Sequence, residues 1–201
     1  MIRYCRELAP PLVEPVTVSE AKLWARVEDD DTSQDSMIQM LVKSARERAE
    51  ELTGRCFAGR SFELVMDAFP SDDEPIEIPY PPLVSVDTIT YRDGDGADQV
   101  LSGGSPEDFL VDVRSFPGRL MPIYNSAWPA TQGSIGSVRI AFTAGYAAPK
   151  NVPLTAREFI MAYVATRYDN REFLMASNVA EVPRDFAAGM LDNLRVRTGF
   201  V

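Results

Sequence analysis

The sequence predicts an α+β fold: a small α-helical core with an antiparallel β domain inserted into it. Three observations carry that prediction. Apolar residues recur at helical spacing from Ile38 to Leu52, and again from Phe159 to Thr166. Between these stretches hydrophobicity alternates with a period of two. The alternating runs are separated by turn signals such as Asp93-Gly94-Asp95-Gly96 and Pro117-Gly118. The organisation that follows is an extended N-terminal arm over 1–16, a helical core from 17–55 and 150–201, and an inserted β domain over 56–149.

The elements can be justified in order. Pro10, Pro11 and Pro15 break any helix in the arm and favour an extended chain. Thr17-Val18-Ser19-Glu20 is a capping box, in which the Thr17 hydroxyl takes the N3 amide and Glu20 reaches back. The first helix, near 18–28, should bury Ala21, Trp24 and Val27, with Leu23 beside them. The acids Glu28-Asp29-Asp30-Asp31 oppose the macrodipole at its C-terminus and stop it. A second helix, near 33–53, starts at a Thr32 or Ser33 cap. Its stripe is Ile38, Leu41, Val42, Ala45, Ala49 and Leu52, and Gly54 ends it in the left-handed position.

Strands are then expected around Phe62–Met66, Ile76–Ile78, Val84–Tyr91, Val100–Leu101, Phe109–Val113, Arg119–Pro122 and Val138–Phe142. Spacing this short and regular implies a small antiparallel sheet or barrel. A third helix, near 154–170, has a second capping-box pattern in Thr155-Ala156-Arg157-Glu158. Its expected buried face is Phe159, Ala162, Tyr163 and Thr166, with Ile160 and Val164 at the margin. A short last helix, near 185–195, carries Phe186, Met190, Leu191 and Leu194 on its apolar side.

Composition excludes whole classes of chemistry. The 201 residues contain 30 acids, 20 bases and no histidine, for a formal net charge of −10. Without histidine there is no Ser-His or Cys-His nucleophile and no His-ligated metal. Two cysteines, Cys5 and Cys56, build neither a disulfide framework nor a four-cysteine zinc site. No signal-peptide apolar region and no membrane-length apolar run occurs, so the expectation is a soluble cytoplasmic protein. Residues 57–148 hold 13 acids against 5 bases, whereas 149–201 hold 6 against 7, so the acidity sits in the β segment. Such a charge argues against gripping nucleic acid by phosphate neutralisation.

Candidate motifs dissolve on inspection. Asp93-Gly94-Asp95-Gly96 lacks the glycine at position 6 and the glutamate at position 12 of a calcium loop, and reads as a hairpin turn. Ser19-Glu20-Ala21-Lys22 has a Ser-x-x-Lys skeleton without its companion elements. The pairs Asp72/Asp73 and Glu107/Asp108 read as solvated surface rather than a glycosidase dyad. Trp128, next to Pro129, is an exposed loop aromatic or an interface anchor. The sequence therefore implies no enzyme, cofactor or metal. A carboxylate hydrolase and a stand-alone carbohydrate- or protein-binding module, using the β insertion and Trp128, remain as alternatives.

The order of elements resembles the head–tail connector, or adaptor, family of long-tailed phages and gene transfer agents. The resemblance rests on Val16-Thr17-Val18-Ser19-Glu20-Ala21-Lys22, Asp29-Asp30-Asp31, the helix from Ile38 to Glu50-Glu51-Leu52-Thr53-Gly54-Arg55, and Pro81-Pro82-Leu83-Val84-Ser85-Val86 with Ile89-Thr90-Tyr91. It continues through Pro117-Gly118-Arg119, Trp128-Pro129, Phe142-Thr143-Ala144-Gly145-Tyr146 and Tyr168-Asp169-Asn170-Arg171-Glu172. It implies a structural protein at the head–tail junction of a virion or phage-like particle, assembled in the bacterial cytoplasm, with phage, prophage and gene transfer agent left open.

The resemblance further implies a self-associated ring of about twelve copies, closed by a repeated heterologous contact. That ring would sit beneath the portal protein and carry the next tail-side connector, a stopper or tail terminator. DNA would pass through its channel without specific binding, and no membrane is involved. The family's C-terminal region tends to meet the portal, which places the portal contact in 184–201. There Arg184, Phe186, Met190, Leu194, Arg195, Arg197 and Phe200 supply apolar anchors and guanidinium forks.

Overall fold

The computed structural model describes residues 3–71, 74–101, 108–170 and 189–196. Among the described residues, three α-helices and two antiparallel sheets give the expected α+β class. The chain divides into two compact units. The β unit takes the described residues up to Leu12 together with Gly59–Gly145, and the helical unit takes Val13–Ala58 and the described residues from Tyr146 onward.

In the helical unit, α1 (Val18–Ala25) starts at the predicted capping box: Thr17 Oγ1 accepts from the Glu20 amide, and Glu20 accepts from the Thr17 amide. It ends earlier than expected, at Arg26, which adopts the left-handed conformation (φ 56°). Its buried face is Ala21, Lys22 and Ala25 rather than one that includes Trp24, which is 45% exposed beside an exposed Leu23. The reason is steric. Alanines four apart let α1 lie close against α3 (Leu154–Asp169), where an indole would hold the helices apart. The buried Lys22 then needs partners. Its ammonium meets the Asp35 carboxylate at 2.5 Å and the Asp29 carbonyl at 3.0 Å, so the acidic run wraps over it.

The acidic run leads into a 3-10 turn, Thr32–Gln34, capped by Asp31 instead of Thr32 or Ser33. Next comes α2 (Asp35–Thr53), which buries Ile38, Val42, Ala45 and Ala49 and half-buries Leu41 and Leu52, as the stripe requires. Gly54 caps it at φ 71°. The third helix, α3 (Leu154–Asp169), departs from expectation twice. No side chain caps it; the Pro153 carbonyl takes the Ala156 and Arg157 amides. Its buried face is Ala156, Phe159, Ile160 and Val164, with Thr166 exposed, so the helix is rotated relative to the predicted face.

The strap before α1 is clasped by two arginines. Arg46 on α2 is 4% exposed and binds Glu14 (2.8 Å), Glu50 (2.7 Å) and Glu47 (3.4 Å). Arg157 on α3 donates to the Pro15 carbonyl (3.2 Å) and to the Glu20 carboxylate. Val16, between them, is buried in the core.

In the β unit, β1 (Arg3–Glu7) lies in the segment expected as an arm. It pairs with β2 (Arg60–Met66) at the edge of a five-stranded sheet. The sheet order is β1-β2-β8-β4-β5, with β4 (Leu83–Arg92), β5 (Asp98–Leu101) and β8 (Val138–Ala144). Phe62 pairs with Phe142, and Leu64 and Ile89 both face Ile140 in register, which builds the apolar side. A second sheet runs β3-β7-β6, from β3 (Ile76–Ile78), β6 (Phe109–Asp112) and β7 (Gly118–Pro122). Gly118 is required at its position, since a Cβ there would lie 2.6 Å from the Leu83 side chain.

Arg46→Ala should leave Glu14 and Glu50 buried without their cation and lower stability by about 3–5 kcal/mol in chemical denaturation. Arg48→Ala, which breaks the exposed Arg48–Glu51 pair, should change it by less than about 1 kcal/mol. Equal effects would contradict the clasp.

Candidate partner-binding site

The described part of the C-terminal segment, 189–196, folds back onto the helical unit. A 3-10 turn, Asp192–Leu194, lies within the region expected as a short helix, and residues 185–188 are outside the described residues. Leu191 and Leu194 enter the helical core at 0% and 8% exposure, and Met190 is half-buried. The Val196 amide donates to the Thr53 carbonyl (2.8 Å), and Arg55 donates to the Leu194 carbonyl. The Val196 side chain lies within reach of a Cβ placed on Gly54, so the segment seats on the C-terminal end of α2. Arg195 stays exposed, 3.1 Å from Asp192. Of the expected portal-contact residues, then, Leu194 is occupied by its own core and Arg195 is presented outward. Arg184, Phe186, Arg197 and Phe200 lie outside the described residues.

Trp128 is half-buried rather than exposed. It stacks on Phe69 with ring centroids 4.9 Å apart and planes 2° from parallel, and Phe69 meets Tyr91 edge-on. The stack pins the long β7–β8 connection, whose most exposed large apolar side chains are Tyr124 and Ile135 instead. Sequence reasoning missed these two, along with Leu23 and Trp24. The one signal for Tyr124 and Ile135 is the glycine and asparagine around them, which marks a loop with no core to enter.

Electrostatics organises turns rather than a reactive centre. The Asp112 carboxyl is held from an ordinary 3.8 down to about 2 by the Arg119 guanidinium, aided by the Arg114 and Ser115 amides. Asp93 is lowered by hydrogen bonds from Gln99 and from backbone amides in its hairpin. For Glu20, burial pushes the pKa up, but hydrogen bonds from Thr17 and Arg157 outweigh it and the net shift is downward. Burial, with Glu63 nearby, pushes the Cys5 thiol up to about 11. Among the described residues no cluster of His, Cys, Asp and Glu is arranged to hold a metal ion, and no helix is long and apolar enough to cross a membrane.

Residues 15–94 match the sequence profile of the phage gp6-like head-tail connector protein. The resemblance to head–tail connectors stands. The match spans α1, α2, β2, β3 and β4, including the clasped strap at its start. The family it describes is one of head-tail connectors.

Solved structures agree over nearly the whole chain. A chain of the neck of an empty gene transfer agent particle, computed with C6 symmetry, superposes with a TM-score of 0.78 at 17% identity, covering 98% of this chain and 97% of that one. A chain of the virion of a native gene transfer agent particle gives 0.76 at 17% identity with the same coverage. A chain of the native particle's neck computed with C12 symmetry gives 0.70 at 16% identity, again covering 98% and 97%. At this identity the likeness establishes the fold alone. Curated proteins offer no match.

Two outcomes follow. Because Asp112 has a depressed pKa, whatever it adds to β6–β7 is fully present above about pH 4 and fades as pH falls through about 2. Asp112→Asn should remove that acid-side dependence in a pH titration of tertiary signals. Leu194→Ala should cost about 2–5 kcal/mol as a core truncation, while the exposed Arg195→Ala should barely move the melting temperature. Similar losses from both would contradict the seating of this segment.

Proposed function

We propose that this chain is a structural head–tail connector of a phage or phage-like particle. The observation that carries the reading is the connector-profile match over 15–94. The fold likeness to chains of gene transfer agent necks computed with cyclic symmetry supports it. In this reading about twelve copies form a ring beneath the portal, because a heterologous contact repeated by rotation closes on itself. The ring continues the DNA channel and gives the next tail-side connector its seat, at the head–tail junction of a particle assembled in the bacterial cytoplasm. With −10 per copy, the ring carries a charge that repels phosphate, so DNA slides past instead of binding.

The portal contact belongs to the C-terminal segment. Leu191 and Leu194 anchor the segment in its own core. Met190, Arg195 and the side chains of Arg184, Phe186, Arg197 and Phe200 would meet the portal. The competing view, a stand-alone carbohydrate- or protein-binding module using the β insertion and Trp128, is less favoured because Trp128 is half-buried and stacked on Phe69.

Removing the gene for this chain from a particle-producing cell should yield DNA-filled heads without tails in electron micrographs. Normally tailed particles would overturn the reading. Deleting residues 197–201 alone removes Arg197 and Phe200 but keeps the Val196–Thr53 bond. That variant should melt like the parent yet leave heads tailless. Normal tail attachment would move the portal contact elsewhere.

A further inference from the structure

The connection between β7 and β8 rests on one side chain. Among the described residues, 127–131 make no backbone hydrogen bond to the rest of the chain. The ties lie outside that stretch. The Ser126 amide donates to the Ile123 carbonyl (3.0 Å), the Gln132 amide to the Arg92 carbonyl (3.1 Å), and the Gly136 amide to the Asp67 carboxylate (3.1 Å). Ser126, Ala127 and Ala130 are exposed, whereas Trp128 is half-buried with Pro129 and Thr131 and is the largest of the three. A segment held mainly by one stacked ring has little local stability of its own.

The stack also leaves a polar group unmatched. Trp128 Nε1 is shielded from solvent, yet no acceptor among the described residues lies within hydrogen-bond reach of it. Phe69, on which the indole lies, offers only the face of a ring. A buried donor without a partner costs free energy that a solvated one does not. The closed position therefore gains a parallel ring contact and forgoes the indole's hydrogen bond, which a released indole makes with water.

The ends of the segment suit a hinge. Asn125 (φ 60°) and Gly133 (φ 67°) both sit in the left-handed region and flank the stretch that the stack holds. Asparagine and glycine enter and leave that region more cheaply than other residues. The strands beyond them are fixed in register, β7 by β3 and β6, and β8 by β2 and β4.

We propose that the Trp128–Phe69 stack is a latch, and that the segment 125–133 opens as a unit while both sheets stay folded. Closed, the indole covers Phe69, which is 8% exposed. Open, the connection presents Trp128, Phe69 and the already exposed Tyr124 together. The latch thus decides whether this part of the β unit shows one aromatic ring to solvent or three. The inference concerns the β unit alone and does not rest on the connector reading.

The test uses full-length protein carrying Trp24→Phe, which leaves Trp128 as the single tryptophan and alters only an exposed position of α1. Trp128 emission and its quenching by acrylamide are followed through a urea titration. Hydrogen exchange of β2 and β8 peptides is measured at the same urea concentrations. A latch makes Trp128 accessible at urea concentrations where β2 and β8 stay protected, with a shallower urea dependence, because the opening exposes little surface. Loss of Trp128 shielding and of strand protection at one shared midpoint would overturn the proposal. A second arm needs no Trp24 substitution: chymotrypsin cleavage at the Tyr124–Asn125 bond is compared between the parent and Trp128→Ala. Breaking the latch should speed that cleavage by about tenfold or more, since proteolysis tracks the open population, and leave β2 and β8 protected. Equal cleavage rates, or loss of strand protection along with the latch, would overturn it.

Discussion

Arg46 sits inside α2 with its guanidinium between Glu14 and Glu50, and Glu50 also accepts the Phe57 amide at 2.8 Å. A buried arginine cannot shed its proton, so these carboxylates are obligatory once the helix packs. The consequence reaches both ends of the unit's first stretch of chain. Glu14 stands just after the chain leaves the β unit and Phe57 just before it returns, so one cation fixes entry and exit together. The third passage is tied to the same place, because Tyr146 stacks on Phe57 with centroids 6.5 Å apart. Arg157 adds a second grip on Pro15 and on the capping residue Glu20. The three-helix core therefore holds its chain passages by charge and stacking as much as by its apolar interior.

What the sequence displays and what it hides follow from range. The Thr17–Glu20 box, the Gly54 cap and the alternation of β2 and β8 depend on neighbours a few residues away, and each was legible. No sequence pattern marks Lys22 and Arg46 as buried charges, because their partners, Asp35 and Glu14, lie 13 and 32 positions away. The face of α3 was misread because Phe159, Ile160, Met161, Ala162, Tyr163 and Val164 run together, and an apolar run has no unique stripe. Trp24 was assigned to the core because it shares a helical face with Ala21 and Val27, but the close approach of α1 and α3 selects alanine. At the partner site, Leu194 looked available because Thr53 and Arg55, which receive its segment, come some 140 positions earlier.

The polar groups of this protein are spent on shape. Carboxylates cap turns, as Asp31, Asp93 and Asp112 do, or neutralise buried cations, as Glu14, Glu50 and Asp35 do. Such uses fix these carboxylates geometrically by hydrogen bonds and ion pairs. Exposed apolar side chains include Leu23 and Trp24 on α1, Leu110 and Met121 on β6–β7, and Tyr124 and Ile135 in the β7–β8 connection, besides Leu12, Met40, Val100 and Leu154 elsewhere.

The central claim is a place in a particle. A cryo-electron microscopy map of the native particle's neck, averaged with cyclic symmetry, addresses it directly. The account predicts density for this chain as one closed ring between portal and tail, each copy showing the three helices and the five-stranded sheet. Absence of the chain from the purified particle, or its presence only as scattered copies away from the head–tail junction, would contradict it.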